Sequence, residues 1–196
     1  MKAKKIGIIG KKLGMTQLFT PEGMVGVTVV DFSEMQVIGK RTEDKDGYNA
    51  IILGTNFKSD EMPNVVREIR TENFGAYDTE EGIMSALEGL SKVDVFGSIK
   101  GRGFQGGMKR HGFHGGRATH GAKHWHRRIG SIGGHSYPAK VWKGQKMPGQ
   151  YGNTKKAVLN LKVIRIDKDR RVLFLKGAVP GFKNSIVMVR DAIKEN

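Results

Sequence analysis

The chain has 196 residues, room for one ordinary domain or a small domain carrying an elaboration. Its 34 Lys and Arg against 19 Asp and Glu leave a formal charge of +15, and its 28 glycines are about twice the usual share. Cysteine is absent, which excludes disulfides, thiolate metal sites and a cysteine nucleophile and suits a reducing, cytoplasmic setting; no apolar stretch approaches the ~20 residues of a membrane helix, and the apolar run Ile6–Gly10 is too short for a signal peptide.

In chain order, Lys5–Gly10, Met15–Thr20 and Met24–Phe32 read as short β-rich runs, with Thr20–Gly23 as a turn. Further strand-like runs are Gln36–Gly39, Ala50–Thr55, Val65–Arg70 and Lys92–Gly97. Between them, Ile83, Met84, Leu87 and Leu90 share one helical face, which predicts a helix over residues 78–90 with Thr79 as N-cap. Near the C-terminus, Val158–Ile166 alternates apolar and polar with one break, Asp167–Arg170 turns the chain, and Val172–Leu175 returns. Gly177–Gly181 fits a type II turn with Pro180 second and Gly181 third, and Ile186–Val189 is the last strand. Many short strands at close spacing predict a mainly β body, sandwich or barrel, with a small helical element.

The charge is not spread over that body. No carboxylate side chain lies between Asp94 and Asp167, and residues 95–166 hold 15 Lys and Arg. The remaining 19 basic and 19 acidic residues cancel, so the whole excess belongs to one internal segment. All six histidines and both tryptophans lie there too. The expected organisation is therefore a body in two pieces, 1–96 and 157–196, interrupted by a basic, irregular loop at 97–156. Ordering the 60 residues of that loop costs on the order of 60–120 kcal/mol of backbone entropy, and its 15 glycines and scattered large apolar residues show no period that would offset it. Self-repulsion of its 13 cations adds to the cost. The segment is expected to be mobile alone and ordered on a polyanion.

Several motifs in the loop suggest other chemistry. Gly101–Gly106 spells GxGxxG, but a dinucleotide site needs a helix opening at the third glycine and an acid about 20 residues on. The glycine-rich continuation argues against any helix, and no acid follows for about 60 residues. His111, His114, His120, His124 and His126 have metal-compatible spacings, yet the segment offers no acid or thiol to complete a site, so no metal is expected. Ser131 and Ser136 lack the nucleophile-elbow pattern and an orienting carboxylate, so no catalytic residue is expected either.

What the residues fit is RNA. Lys100, Arg102, Lys109, Arg110, Arg117, Lys123, Arg127, Arg128, Lys140, Lys143, Lys146 and Lys155 recur along the loop as phosphate contacts. Phe104, Trp125, Tyr137 and Trp142, with His120 and His135, supply rings for stacking or hydrogen bonding to bases. Spacing without a helix or zinc scaffold argues against a groove-reading module and for a strand threading folded RNA. The alternative is another basic RNA-binding protein, or an RNA-acting enzyme with a cationic arm. An enzyme of that kind needs carboxylates for Mg²⁺, and none lies in the loop.

The wording of the chain also carries a resemblance. GIIGKKLGMTQLF near the start, KGRGFQGGMKRHGF at 100–113, RATHGAKHWHR at 117–127, GSIGGHSYPAKVWKGQKMPGQYGN at 130–153 and LFLKGAVPG at 173–181 together resemble the L-three family of large-subunit ribosomal proteins, in its bacterial or organellar form. That resemblance implies a closed β-barrel of the translation-factor type with an inserted loop that enters large-subunit rRNA toward the peptidyl transferase centre. It also implies binding near the rRNA 3′ end, a part in early subunit assembly, a ribosome-bound cytoplasmic location, and ribosomal proteins L-fourteen and L-nineteen as neighbours. No cofactor, membrane or small-molecule substrate is implied. Three departures stand out. Ile99 replaces a usual Ser while Lys100 and Arg102 keep their charge. Asn56–Val66 is short and acidic where the family has a longer basic piece, so that piece's contacts are not carried over. Gly134, His135 and Ser136 occupy the place where some bacterial members carry a methylated Gln, so that modification is expected to be absent.

Overall fold

The computed structural model describes residues 6–21, 23–59 and 62–193. They form two compact units, one from the residues up to Ile99 together with those from Lys155 onward, the other Lys100–Thr154. In chain order the elements are β1 (Gly7–Thr20), β2 (Gly23–Asp31), β3 (Gln36–Arg41), α1 (Glu43–Asp46), β4 (Ala50–Ser59), β5 (Met62–Arg70), a 3₁₀ turn (Gly75–Tyr77), α2 (Glu80–Glu88) and β6 (Lys92–Ser98). The second unit carries β7 (Phe104–Gln105), α3 (Gly107–His111) and β8 (Gly149–Gln150). The first resumes with β9 (Lys155–Asp167), β10 (Val172–Lys176) and β11 (Ile186–Asp191). The fold is mainly β.

In the first unit six strands pair in the order β1-β11-β6-β9-β10-β2, and β2 pairs back onto β1, so the order returns to its start. Every pairing is antiparallel. The two runs expected at 5–10 and 15–20 are a single strand, β1, and Lys5 lies outside the described residues. A bulge between Lys12 and Gly14 shifts the register there, so the chain changes neighbours without leaving the sheet. The break in alternation along β9 is also a bulge: Phe174 pairs with Arg165 and Leu175 with Val163, which leaves Ile164 unpaired. A second irregularity faces Asp94, whose buried carboxylate accepts the backbone N–H of Asn160 at 2.9 Å and of Ile193 at 3.4 Å. That carboxylate occupies donors which a broken ladder would otherwise leave unpaired.

A three-stranded sheet, β3-β4-β5, and α2 complete the core. Ile8 and Ile9 are both fully buried, so β1 is covered on both faces. Ring residues such as Val30, Leu173 and Val189 join Ile51, Leu53 and Ile69 of the small sheet and Ile83 and Leu87 of α2 in one apolar cluster. The helix lies within the expected 78–90 span, and the Thr79 hydroxyl accepts the Gly82 N–H at 3.1 Å as its N-cap. Tyr77 ties the layers together: its hydroxyl accepts from the Gly7 N–H and donates to the Gly7 carbonyl, both at 2.8 Å. Burial pushes its phenol pKa up to about 12, against the opposing Gly7 hydrogen bond. The short helix α1 had no predicted counterpart. Its first N–H groups are held by side chains, Glu43 by the Asn49 amide oxygen at 3.0 Å, and Gly47 ends it at φ 75°.

Lys12 is nearly buried, and its ammonium donates to the carbonyls of Val179 at 2.8 Å and Gly181 at 3.1 Å. Desolvation lowers its pKa. The expected turn at Pro180 and Gly181 is thereby pinned, with Gly181 at φ 103° as a third turn position demands.

Candidate nucleic-acid interface

The second unit begins as a narrow neck. The Arg102 N–H donates to the Tyr151 carbonyl and the Tyr151 N–H to the Gly103 carbonyl, each at 2.9 Å, and Phe104 then pairs with Gln150 across β7 and β8. Gly152 must be glycine: its φ is 77°, and a Cβ would strike the Lys100 carbonyl.

The helix α3 follows at the third glycine of the GxGxxG stretch, which corrects the expectation that no helix could form there. Its ends explain it. Gly106 is an extended N-cap, and Gly112 at φ 75° returns its N–H to the carbonyls of Gly107 and Met108. Between them stand Gly107, Met108, Lys109, Arg110 and His111, and Lys109 and Arg110 place positive charge at the helix C-terminus. Caps decide a one-turn helix more than interior propensity does.

The same turn anchors the loop. Arg110 donates to the Met147 carbonyl at 2.6 Å, and the His111 ring Nε2 lies 3.0 Å from the same oxygen. The two arms are thus clipped 37 residues apart. Gly107 is buried, and a Cβ there would collide with Ile129 and Phe113. A small packed nucleus therefore exists where the sequence shows no period, because its members meet through turns rather than along one face.

Beyond the nucleus the candidate residues lie on the surface. Lys100, Arg102, Lys109, Arg117, His120, Lys123, Arg127, Arg128, His135, Lys140, Lys143 and Lys146 are all exposed. Lys155 is exposed too, but it opens β9 in the first unit, paired with Ser98. Arg110 is half-buried and engaged internally, a role no sequence signal announced because its partner is a distant backbone carbonyl. Large rings stand open: Tyr137 is 92% exposed, Phe104 75%, Trp142 61% and Trp125 46%. Two cations rest over rings, Lys140 Nζ 4.4 Å from the Trp142 centroid and the Arg102 guanidinium 5.5 Å from that of Tyr151.

At Gly130–Pro138 no side chain is charged. Ser131 and Gly133 bond to each other, and the His135 Nδ1 lies 2.9 Å from the Ser136 hydroxyl. Among the described residues, all ion pairs found lie in the first unit, as in Lys168–Glu88 at 2.8 Å and Arg41–Glu68 at 2.9 Å. The loop has no acid of its own, so its cations have no carboxylate partner within it. Among the described residues no three of His, Asp and Glu cluster as metal ligands, and no helix is long and apolar enough to cross a membrane.

Comparison with known proteins bears on this arrangement. The family model described as "Ribosomal protein L3" matches residues 73–172. The chain is similar to the large ribosomal subunit protein uL3 of Thermotoga petrophila, 44% identical over 200 residues that cover 94% of this chain and 96% of that protein. It is 42% identical over 206 residues to the protein of the same name from Fervidobacterium nodosum, covering 96% of this chain and 99% of that one. With that of Borreliella burgdorferi the identity is 40%, covering 96% and 100%.

Proposed function

The chain belongs to the ribosomal protein L3 family, and from that premise we propose that residues 100–154 are its principal rRNA-binding element. The family is one of structural, non-enzymatic constituents of the large ribosomal subunit. The observation that carries the proposal is an exposed, carboxylate-free loop on a two-strand neck, its cations interleaved with open rings. Phosphates of large-subunit rRNA take the cations, and unstacked bases take the rings. Lys100, Arg102, Lys109, Arg117, Lys123, Arg127, Arg128, Lys140, Lys143 and Lys146 act as anchors. Phe104, His120, Trp125, His135, Tyr137 and Trp142 meet bases, and Lys155, on β9 of the first unit, is a further phosphate contact.

In this reading the six-stranded ring is the translation-factor-type barrel of the family. The loop enters rRNA near its 3′ end and reaches toward the peptidyl transferase centre. The protein joins the subunit early in assembly, in the cytoplasm, beside L-fourteen and L-nineteen. Co-sedimentation tests the core of it: the chain is expected to travel with large subunits and to resist a moderate salt wash. Sedimentation free of subunits, or release at low salt, would overturn the proposal.

A further inference from the structure

Within the loop, Phe113, Trp125 and Ile129 together with His114, Arg128 and bare glycine backbone line an open cleft of about 280 Å³. Its walls are set in advance. The Trp125 ring lies so close against Gly116 that a Cβ there would overlap it, while Phe113 and Ile129 close on Gly107. The Gly116 N–H donates to the His126 carbonyl at 3.2 Å, and the Arg128 N–H to the Trp125 carbonyl at 3.3 Å, so the turn bearing Trp125 and Arg128 is tied down. Trp125 nevertheless keeps nearly half its surface open.

The chemistry selects one kind of occupant. The cleft is open and larger than a single heterocyclic base, so one base can enter it. Two aromatic rings and an isoleucine offer stacking surface, and the Arg128 guanidinium offers donors to a phosphate or a base edge. No carboxylate stands anywhere in the segment to favour a cation. We propose that this cleft receives one unstacked RNA base, held against Trp125, with Arg128 on its phosphate or edge. The inference rests on the rRNA-binding reading and adds a base-specific seat to a surface otherwise described by charge.

The test uses the full chain with Trp142→Phe, which keeps a ring at 142 and leaves Trp125 as the sole tryptophan. The probes are a single-stranded oligoadenylate and inorganic polyphosphate of equal charge, which has phosphates but no bases. Oligoadenylate is expected to quench Trp125 emission strongly, whereas polyphosphate should compete for binding with little quenching. Adding Trp125→Ala should weaken oligoadenylate binding roughly 5- to 150-fold and leave polyphosphate binding unchanged, with Trp125→Phe restoring most of the loss. If oligoadenylate binds but neither emission nor the Ala variant responds, the cleft proposal falls and the RNA-binding reading stands. Equal quenching by both probes also overturns the cleft, since it reports ordering of the loop rather than stacking. Failure to bind either oligoadenylate or large-subunit rRNA overturns both.

Discussion

The two units of this chain satisfy their charges in opposite ways. In the first, 19 acidic residues stand beside 23 basic ones, and three buried polar side chains find partners inside: Asp94 on two backbone amides, Lys12 on two carbonyls, Tyr77 on both sides of one peptide. In the second, eleven Lys and Arg share a segment without an acid, and apart from Arg110, which clips Met147, they face solvent or an aromatic ring. A folded chain normally arranges its own counter-charges. A region that supplies none is open to counter-charge from another molecule, and the exposed rings beside those cations are the ground of the proposal that this molecule is an anion carrying bases.

The sharpest way to break this comparison is to separate the regions. Ser98 and Lys155 are paired neighbours, so a two-residue turn can replace residues 100–154. The shortened protein is expected to keep its β circular dichroism while losing rRNA affinity, with the salt slope flattening by up to about 9 units. Loss of the β signal would show that the body depends on the loop. In the intact, RNA-free protein, proteolysis is expected between Gly130 and Lys146, in the stretch between the turn bearing Trp125 and Arg128 and the clip at Met147. A protease-resistant stretch there would refute its dependence on RNA for order.

A smaller effect probes the body alone. Tyr77→Phe removes both hydrogen bonds to Gly7 and should cost about 1–3 kcal/mol at neutral pH, read by denaturant titration. The phenol's folded pKa is raised above its unfolded value near 10, so its share of stability is complete below pH 10 and falls away as the pH rises toward 12. About 2–3 kcal/mol should be lost across that window in the wild type and not in the Phe variant. Equal slopes would place the alkaline sensitivity elsewhere. Binding by the loop should not change.

Within the loop, changing Arg127 and Arg128 together to Ala should weaken incorporation into subunits and lower the salt slope by about 2 units at most. The smallest effect on incorporation is expected from His135→Ala or Tyr137→Ala. Each gives up roughly 1–3 kcal/mol of base contact among many, so subunits should still assemble while rRNA reactivity near the catalytic centre, or antibiotic sensitivity, changes. Should these substitutions block assembly while the double arginine change does not, anchor and tip are assigned the wrong way round.

Counting sufficed for much of this. The segregation of charge is a property of the string, and so are the alternation along β9, the Thr79 cap before an apolar helical face, and a Pro-Gly turn. All depend on neighbours a few residues apart. What long-range packing decides could not be read that way. Residues 7–20 form one strand because other strands, β11 and then β2, stand beside its two halves. Lys12 looks like any surface lysine until Val179, 167 residues away, presents a carbonyl to it. Arg110 reads as one more phosphate contact and is partly a clip, and the glycines around α3 act as caps rather than breakers. Charge and periodicity are local and additive, so the sequence alone determined a near-neutral β body and a cationic, acid-free insert. Ring order, buried polar partners and the cleft beside Trp125 depend on which distant groups meet, and only the tertiary structure decided those.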